Sequence, residues 1–340
     1  MVRDFLVPSP DLNGKTILIT GGTGSFGKHF SHAVLKRFQA KKIIIFSRDE
    51  HKQVEMMPDF NEVEMDIMRF FIGDVRDEQR LDMAMNGVDV VIHAAALKHV
   101  PVAEYNPFEC INTNVMGAEN VVRAALRNNV PRVMALSTDK AVNPVNLYGA
   151  SKLAADKIFV AANHLSGNRL TRFSVVRYGN VVGSRGSVVP LFRKLIREGA
   201  TSLPITDPRM TRFWITLEQG VNFVLSSLAM MQGWEIFVPK IPSMRVTDLA
   251  ASMGAGLPHK VVGIRPGEKL HELLLTEDDA RGTLELEDRY LVLPASAVPE
   301  MEQYKQRGAK QVPESFRYAS DTNDEWASAD LINSWLSDET

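Results

Sequence analysis

A glycine-rich turn between a predicted strand and a predicted helix constrains the fold of this chain more than any other feature. The segment TGGTGSFG, residues 20–27, follows the β-branched run KTILIT and precedes a helical stretch from Ser25 to about Gln39. Its glycines satisfy both G-x-G-x-x-G and G-x-x-G-x-x-G spacing. Glycine lets such a turn close and lets a pyrophosphate approach the backbone, while the helix N-terminus supplies free N–H groups. We therefore expect dinucleotide binding through Gly21, Thr23, Gly24, Ser25, Phe26 and Gly27.

Short β-branched runs alternate with helical stretches through the first half of the chain. Strands are predicted at 15–20, 43–46, 70–72, 88–93, 132–137 and 173–176, and helices at 25–39, 106–129 and 147–164. Such alternation is typical of a parallel sheet covered by helices on both faces. The sequence therefore predicts an α/β protein with a Rossmann-type, doubly wound parallel sheet.

The alternating pattern loosens after Asn180, where glycines and prolines interrupt it. Helices are predicted there at 188–198 and 217–231, and short strands at 234–238 and 261–264. The tail from Glu314 is polar and acidic, and we expect it to end in a helix packed by Trp326 and Trp335.

These patterns predict a division of the chain into two parts. Residues 14–182 are expected to form the dinucleotide-binding domain, and residues 211–240 are expected to return to it. Residues 183–210 and 241–340 are expected to form a smaller mixed α/β lobe that binds substrate, together with the C-terminal tail.

The composition is that of an ordinary soluble globular protein, with 45% hydrophobic and 24% charged residues. A net charge of −2 gives no basic surface for nucleic acid or anionic lipid. No apolar run reaches the roughly 18 residues of a membrane span, so a cytoplasmic protein is expected. The single Cys110 is expected to be a buried structural thiol in a reducing compartment. His99, His164 and His271 lack metal-ligand spacing, so no catalytic metal is expected.

The residues after the second predicted strand bear on the choice of dinucleotide. Folds that bind NAD commonly place an acidic residue there for the ribose hydroxyls. This chain has Ser47 and Arg48 first, with Lys52 shortly after. An arginine at this position makes charge-assisted bonds to a 2′-phosphate, which favours NADP. Asp49 and Glu50 leave the alternative open, since either could bind the ribose hydroxyls instead.

Two further strand ends carry candidate cofactor residues. Asp74 and Val75 follow the third strand, where the carboxylate could bond the adenine amino group or instead cap the helix that begins near Asp77. The run from Ala94 to Lys98 follows the fourth strand, at the carboxyl edge where ligands bind in open α/β sheets. Its small residues let a dinucleotide pass close, and Lys98 either reaches nicotinamide ribose and substrate or is a solvated lysine.

The end of the fifth predicted strand brings acid–base groups together. The segment 137–140 reads Ser-Thr-Asp-Lys, and Tyr148 and Lys152 follow it in a predicted helix. Residues four apart lie on one helix face, and a neighbouring ammonium lowers the pKa of a phenol, which is ordinarily about 10. Tyr148 is therefore a candidate general base for an alcohol proton, with Lys152 holding the nicotinamide ribose. The nicotinamide end of the cofactor is expected to contact Leu136, Ser137, Tyr148, Lys152 and Val181.

With these motifs the chain resembles an extended short-chain dehydrogenase/reductase that acts on a nucleotide sugar. More narrowly, it resembles the inverting UDP-N-acetylglucosamine 4,6-dehydratases, which open the pseudaminic acid route. The motifs that carry the resemblance span residues 20–272: TGGTGSFG, FSRDEHK, AAALKHVP, LSTDKAVNPVNLYGASK, VRYGNVVGSRGSVVP, ITDPRMTRF and RPGEKLHE.

The run TDKAVNP, residues 138–144, is the most specific of these motifs. Hexose dehydratases of the thymidine-diphosphoglucose type usually carry Asp-Glu in its place, and epimerases generally lack the acid–base pair. Membrane-anchored, retaining relatives typically have Met where this chain has Tyr148. The resemblance is therefore to the soluble, inverting form.

This resemblance implies a dehydration with an internal redox cycle on a tightly held NADP that ends unchanged. Tyr148 would take the proton of the sugar 4-hydroxyl, and Ser137 or Thr138 would bond the 4-oxygen. Lys140, as a free amine, would remove the hydrogen on carbon 5. Asp139, protonated, would assist loss of the 6-hydroxyl. Lys140 then needs a lowered pKa and Asp139 a raised one.

Candidate residues for the sugar diphosphate lie mainly in the second half. Lys98, Asn180 and Ser187 are expected to contact substrate, with Arg185 in a glycine-rich loop that could close over it. By resemblance, Arg265 would bind phosphate and Glu268 the nucleoside ribose. Arg209 and Arg212 complete the predicted set.

Two other functions compatible with the motifs are a nucleotide-sugar 4-epimerase and a non-catalytic NADP-sensing protein. The Asp139–Lys140 pair argues against the first, and Tyr148 with Lys152 argues against the second. By analogy with this superfamily, helices 106–129 and 147–164 are expected to form the interface of a homodimer or a higher oligomer.

Overall fold

The computed structural model of the chain describes residues 3–184 and 186–337. Its first half alternates strands and helices, as the sequence predicts. The strands are β1 (Thr16–Thr20), β2 (Lys42–Ser47), β3 (Met68–Ile72), β4 (Val90–His93), β5 (Arg132–Thr138) and β6 (Arg172–Tyr178). The α-helices are α1 (Ser25–Arg37), α2 (Glu50–Met56), α3 (Glu62–Ile67), α4 (Glu78–Ala84), α5 (Val100–Tyr105), α6 (Pro107–Ile111), α7 (Gly117–Arg127) and α8 (Leu147–Ser166).

The second half is built from shorter strands and fewer helices. Its strands are β7 (Asn180–Val181), β8 (Leu203–Ile205), β9 (Thr211–Ile215), β10 (Ile236–Pro239), β11 (Ser243–Arg245), β12 (His259–Val261), β13 (Leu273–Leu275), β14 (Thr283–Glu285), β15 (Arg289–Val292), β16 (Lys310–Gln311) and β17 (Tyr318–Ala319). Its helices are α9 (Val188–Arg197), α10 (Leu217–Met230), α11 (Val246–Met253), α12 (Glu277–Ala280), α13 (Val298–Gln306) and α14 (Ala329–Ser337).

One large sheet organises the molecule. Within the described residues it has ten strands in the order β16-β14-β15-β10-β6-β5-β4-β1-β2-β3. The neighbouring strands β10, β6, β5, β4, β1, β2 and β3 run parallel to one another, whereas β15, β14 and β16 pair antiparallel. The chain moves from β1 to β2 and β3 on one side and returns to β4 on the other, which opens a crevice at the carboxyl ends of β1 and β4. The predicted Rossmann-type α/β fold is confirmed.

Helices cover the sheet because their apolar faces are buried against it. Phe30 and Val34 of α1, Val121 of α7 and Phe159 of α8 all belong to one continuous core. Strand β1 is buried along its whole length. A parallel strand with both faces covered is expected to be a continuous apolar run, as TILIT is.

The predicted helix over 106–129 is divided in the structure. Helix α6 begins at Pro107, a π-helical turn spans Asn112–Met116, and α7 follows. The turn directs the Asn114 amide to the backbone N–H and C=O of Leu97 and to the Ser151 hydroxyl. The extra residue in this turn thus ties the segment after β4 to helix α8.

The two predicted parts of the chain share the central sheet. Strand β10 lies in the returning segment 211–240 and pairs with β6. Strands β14 to β16 come from the predicted substrate lobe and extend the same sheet. Strand β9, by contrast, lies in a separate three-stranded sheet with β7 and β11. The division into domains stays a prediction. Among the described residues, no helix combines the length and apolar character required to cross a bilayer.

Two small cores lie beside the main one in the second half. One brings together Val182, Val189, Trp214, Met244, Leu249, Ile332 and Trp335. The expectation that both tail tryptophans pack the terminal helix is correct only for Trp335, which is 5% exposed. Trp326 precedes α14, is 42% exposed and lies under the Arg245 guanidinium. The strand predicted at 261–264 is instead β12, shifted toward the N-terminus.

We expect Trp335→Ala to destabilise the protein strongly and Trp326→Ala to serve as its matched control. Removing a buried tryptophan leaves a cavity and typically costs about 3–5 kcal/mol, whereas an exposed ring costs about 1 kcal/mol or less. Urea unfolding followed by tryptophan fluorescence and circular dichroism measures both. Equal losses in the two variants would show that α14 does not anchor this core.

Candidate active site

A cavity opens at the carboxyl ends of the parallel strands in the described part of the chain. Its volume is about 790 Å³, within the range of about 300–1,000 Å³ for cofactor and ligand sites. Residues from the glycine-rich turn, from the ends of β2 to β6 and from helix α8 line it. The position is the switch point at which ligands bind in doubly wound sheets.

The glycine-rich turn is shaped for the close approach of a phosphate group. A Cβ atom at Gly27 would collide with the carbonyl oxygen of Gly22, so α1 can start directly against the turn only with glycine there. The N-cap residue Gly24 has no side chain to bond the first N–H groups of α1. These N–H groups and the helix dipole favour an anion. Gly21, Thr23, Gly24, Ser25 and Phe26 line the cavity.

Several hydroxyl groups in the cavity wall lack partners. The Oγ atoms of Ser137 and Ser187 and the Oγ1 atom of Thr113 are buried without a hydrogen bond to any described residue. All three residues line the cavity. Buried polar atoms are nearly always hydrogen-bonded, so these hydroxyls fit a site that is completed by a polar ligand.

The end of the cavity beside β2 carries charged residues of both signs. Arg48 and Lys52 line it, and the Ser47 hydroxyl lies 2.9 Å from that of Thr23. Asp49 accepts a hydrogen bond from the backbone N–H of Lys52, as the N-cap of α2, and its carboxylate lies 3.0 Å from the Lys52 ammonium. Asp49 is therefore already engaged by Lys52, whereas the Arg48 side chain is 52% exposed and has its ion-pair partner, Asp74, 3.5 Å away.

The structure also decides how Asp74 is held. The N-cap of α4 is Asp77, whose side chain accepts from the N–H of Arg80, so the alternative that Asp74 caps this helix is wrong. Asp74 instead accepts hydrogen bonds from Arg76 and lies 3.5 Å from Arg48. Burial raises the pKa of Asp74, but these bonds outweigh it and lower the pKa overall. Asp74 and Val75 both line the cavity.

Tyr148 and Lys152 project from α8 into the same cavity. Burial raises the pKa of Tyr148 to about 12, although the Lys140 ammonium lowers it. The expected net lowering is therefore wrong, since burial outweighs the cation. The Lys152 ammonium donates to the carbonyl oxygen of Leu136 at 2.7 Å, and burial lowers the pKa of Lys152. Leu136 lines the cavity beside it.

Asp139 and Lys140 form a turn of 3₁₀-helix directly after β5, with Thr138 as its N-cap. The Lys140 ammonium lines the cavity and lies 3.0 Å from Asp139 Oδ1, which also accepts from the Thr138 hydroxyl at 2.8 Å. Asp139 itself is fully buried and lies behind the cavity wall. The Asp139 carboxyl group therefore does not line the cavity itself but is connected to it by its hydrogen bonds with Thr138 and Lys140.

The expected lowering of the Lys140 pKa is wrong. Burial does lower the pKa of this ammonium, but the carboxylates of Asp139 and Glu272 together outweigh it and raise the pKa above its ordinary value. Glu272 Oε1 lies 3.9 Å from the Lys140 ammonium. The sequence motif contained one of these acids, and the second comes from a distant segment just before β13.

Glu272 belongs to a buried cluster of charges behind the turn. Its carboxylate lies 3.5 Å from Arg212 and 3.7 Å from Lys269. Arg212, expected to contact substrate, is buried outside the cavity lining and donates to the backbone carbonyls of residues 211, 269 and 270. Its guanidinium is therefore used to anchor the segment that carries Glu272.

The remaining predicted residues fall into two groups. Lys98, Asn180, Val181 and Ser187 line the cavity with Ala94, and Asn180 Oδ1 accepts from the Lys140 ammonium at 3.4 Å. Arg209 is 72% exposed and paired with Asp207, and Arg265 is 64% exposed beside Glu268. The structure does not bring Arg209, Arg265 or Glu268 to the cavity wall. Arg185 lies outside the described residues.

Comparison with known proteins identifies the family. A family model described as "Polysaccharide biosynthesis protein" matches residues 17–294. An inverting UDP-N-acetylglucosamine 4,6-dehydratase from Campylobacter jejuni is 58% identical over 331 residues, which cover 94% of this chain and 98% of that protein. The chain belongs to this family. The resemblance drawn from the motifs is thereby confirmed, and so is the prediction that the chain is an enzyme.

Two further proteins that are similar to this chain extend the comparison. The solved structure of Pen from Bacillus thuringiensis superimposes with a TM-score of 0.87 at 35% identity, over 96% of this chain and 98% of that one. A UDP-glucose 4-epimerase from Rickettsia canadensis is 45% identical over 289 residues, 82% of each chain. The fold is thus shared with proteins named for more than one sugar chemistry.

Reasoning from the sequence missed several residues of this dehydratase-family site. Tyr178, at the end of β6, and His99, directly after Lys98, line the cavity. Both follow predicted strands, and ligands bind at the carboxyl ends of the strands in such sheets, so the sequence could have identified these two residues. Thr113, on the π-helical turn, gave no local signal, and Glu272, the last residue of the motif RPGEKLHE, gave no sign that the folded chain brings it beside Lys140.

We expect Gly149→Ala to reduce turnover more than stability. A Cβ atom at Gly149 would collide with the carbonyl oxygen of Lys140 and lie 3.1 Å from Pro144 Cβ, so α8 would have to move away from the turn. A displacement of about 1 Å at reacting groups can reduce turnover about 100-fold. Steady-state rates and thermal unfolding measure the two effects. Ala150→Ser, one residue along and exposed, is the control, and an equal rate in both variants would contradict the expectation.

Proposed function

We propose that the protein catalyses the NADP-dependent 4,6-dehydration of UDP-N-acetylglucosamine with inversion at carbon 5. The product would be a UDP-4-keto-6-deoxy-L-sugar for nonulosonic acid or surface glycan synthesis. The observation that carries the proposal is that Tyr148 and the Lys140 ammonium line the cavity of the glycine-rich turn, with Asp139 bonded to Lys140 at 3.0 Å. An alcohol base, an amine and a second acid are thus assembled beside one dinucleotide site.

The glycine-rich turn and the partnerless hydroxyls fit a dinucleotide. The turn would hold the pyrophosphate, Arg48 a 2′-phosphate, and Lys152 the nicotinamide ribose. The chemistry supplied by a bound nicotinamide is a positive ring charge and reversible acceptance of hydride. The Lys152 ammonium is held near the carboxyl end of β5 by its hydrogen bond to the carbonyl oxygen of Leu136. It is therefore positioned for the ribose hydroxyls.

Tyr148 would act on the sugar 4-hydroxyl. With a pKa of about 12 the phenol is neutral at neutral pH, so its proton must pass to solvent before Tyr148 can serve as a base. The Lys140 ammonium favours that loss. Tyr148 Oη would then take the proton of the 4-hydroxyl while the Thr138 hydroxyl bonds the 4-oxygen. A proton acceptor held in place in this way contributes about 100- to 10,000-fold to a rate.

The Asp139–Lys140 contact would supply the base and the acid of the elimination together. Transfer of one proton along the 3.0 Å bond turns the ion pair into a free amine and a carboxylic acid. Neither product is charged, which suits a fully buried carboxyl group. The raised pKa of Lys140 is then not an obstacle, because the proton it must lose is the proton that Asp139 must gain.

Elimination follows from these two groups. Lys140 Nζ takes the hydrogen of carbon 5 as a proton, and that electron pair forms the bond between carbons 5 and 6. The bond from carbon 6 to oxygen breaks with its electrons on oxygen, which accepts a proton and leaves as water. Since Asp139 lies behind the wall, its proton would pass through the Thr138 hydroxyl that it already bonds. Carbon 6 would receive the hydride given up at carbon 4, and carbon 5 would gain a proton from the opposite face.

The UDP-sugar would extend from this centre toward the second half of the chain. Lys98, Asn180 and Ser187 line the cavity and would bond the sugar or its diphosphate. Asn146, the N-cap of α8, donates to the carbonyl oxygen of Gly267 at 2.8 Å, which places the Arg265–Glu268 loop near the catalytic helix. Arg265 and Glu268 would contact the phosphate and the nucleoside ribose from this loop.

We further propose a homo-oligomer in the cytoplasm that pairs through the helices of residues 100–127 and 147–166. This face exposes large apolar side chains, which are enriched where protein surfaces associate. They are Tyr105, Phe108, Ile111, Met116 and Leu165.

The function is tested by the product formed from UDP-N-acetylglucosamine in deuterated water. We expect a product lighter than substrate by one water, with solvent deuterium at carbon 5 and the ring couplings of the inverted epimer by NMR. A product of unchanged mass would instead indicate a 4-epimerase.

Lys140→Ala should bind UDP-sugar normally but form product at least about 100-fold more slowly. Lys194→Ala, an exposed lysine on α9, is the matched control. Normal deuterium incorporation in Lys140→Ala would exclude Lys140 as the base.

Selectivity for NADP is tested separately with Arg48→Ala. A charge-assisted contact contributes about 1.5–3 kcal/mol, so we expect affinity for NADP⁺ to fall about 10- to 150-fold while affinity for NAD⁺ stays nearly constant. Titration calorimetry on protein stripped of nucleotide measures both constants. Arg37→Ala removes a surface cation outside the cavity lining and should change neither. A parallel loss for both dinucleotides would remove Arg48 from the 2′-phosphate site.

A further inference from the structure

The two acids that raise the pKa of Lys140 share its ammonium. Asp139 Oδ1 lies 3.0 Å from the Lys140 ammonium, and Glu272 Oε1 lies 3.9 Å from it on another side. Both carboxyl groups are buried, with Asp139 fully inaccessible and Glu272 3% exposed. Two carboxyl groups that share one site rarely both ionise, because each disfavours the charge on the other.

Each acid also has one oxygen with no hydrogen-bond donor. These atoms are Asp139 Oδ2 and Glu272 Oε2, and neither accepts a hydrogen bond from a described residue, although the Lys269 ammonium lies 3.7 Å from Glu272 Oε2. Leaving a buried, charged oxygen without a donor is strongly unfavourable. One proton on the pair would neutralise one of the two groups and provide a hydrogen-bond donor at that position.

We propose that Glu272 is a positioning residue that keeps the proton received from Lys140 on the Asp139–Glu272 pair, and that this proton is the one delivered to the departing 6-hydroxyl. The proposal deepens the dehydration proposed above and rests on it. Glu272 does not line the cavity, so it acts through Asp139 and Lys140 rather than on the sugar. When the proton has gone to water, the proton held by Lys140 after attack on carbon 5 can restore the starting arrangement.

The charges around Glu272 come from every element packed against it. Asp139 and Lys140 face it from the turn after β5, Arg212 from β9, and Lys269 from the preceding loop. Burial, and next the repulsion from Asp139, raise the pKa of Glu272, while the three cations lower it and leave it raised overall. The neighbouring His271 ring is turned to the Thr211 hydroxyl.

A purely structural role would make a different prediction. Glu272 would then serve only to neutralise Arg212 and Lys269, and its loss would weaken folding or lower the amount of active enzyme. Neither effect moves the pH at which the catalytic groups titrate. The position of the pH–rate profile therefore separates the two roles, whereas the height of the profile does not.

The experiment compares pH profiles of kcat for the wild-type enzyme and for Glu272→Gln. Removing the negative charge eases ionisation of the remaining carboxyl group and disfavours the Lys140 ammonium, so both limbs should move to lower pH by about one unit or more. On the alkaline limb this shift is a loss of about tenfold at fixed pH. KM for the UDP-sugar should change little, since Glu272 does not touch it.

Two control variants sharpen this comparison. Glu272→Asp keeps the charge and should keep both limbs at their wild-type positions, even if its rate is lower. Glu285→Gln removes a carboxylate that is paired with Lys240 at 2.8 Å away from the cavity, and should leave the profile unchanged. Limbs that stay in place in Glu272→Gln, with only a lower maximum, would overturn the proposal while leaving the dehydratase function intact.

Infrared spectroscopy gives a readout that needs no turnover and does not depend on the folding of Glu272→Gln. The difference spectrum of wild type minus Asp139→Asn at pH 7 should show a protonated carboxyl band, because Glu272 ionises once its acidic neighbour is gone. Glu235, whose pKa burial raises to about 7, contributes equally to both spectra and cancels. A difference spectrum with carboxylate bands alone would refute the shared proton, whether or not the wild-type enzyme releases water.

Discussion

The packing of helix α8 against the 3₁₀ turn after β5 is the contact on which the site depends. At Gly149 the helix backbone touches the carbonyl of Lys140, and this closeness brings Tyr148 and Lys140 to one wall. The hydrogen bond that the Gly149 N–H donates to the side-chain oxygen of Asn146, the N-cap residue, fixes where the helix begins. The Lys152 ammonium then ties the next turn of the helix to the β5 carbonyl of Leu136.

Much of the fold could be predicted because its signals are local. Each parallel strand contains a short apolar run, and the glycine-rich turn marks the end of the strand before it and the start of the helix after it. The antiparallel extension by β14 to β16 gave no such signal, because strands of two to four residues are too short to show a period. The π-helical turn at 112–116 was missed for a related reason, since a single extra residue leaves the helical pattern almost unchanged.

The sequence predicts which residues form the candidate site more readily than it predicts the direction of their pKa shifts. Tyr148, Lys140 and the glycine-rich turn meet as the motifs indicate. The direction of each pKa shift depends on how deeply a group is buried and on how many charges converge on it. For Lys140, burial lowers the pKa, whereas Asp139 and then Glu272 raise it, and Glu272 lies in a distant segment that reaches the turn through the packing of β13. The motifs TDKAVNP and RPGEKLHE each contain one of these acids, but the sequence does not show that the two motifs meet.

The strand order of the central sheet has a consequence for how the chain is made. Strand β6 closes the nucleotide-binding half, yet its outer edge is covered by β10, and β10 in turn by β15. During synthesis from the N-terminus, the first six strands emerge with a parallel edge still open, and an open edge readily pairs with other chains. The half that holds the glycine-rich turn thus cannot finish folding until the later strands have left the ribosome. Nascent chains stalled before β10 are the form of this protein most exposed to aggregation.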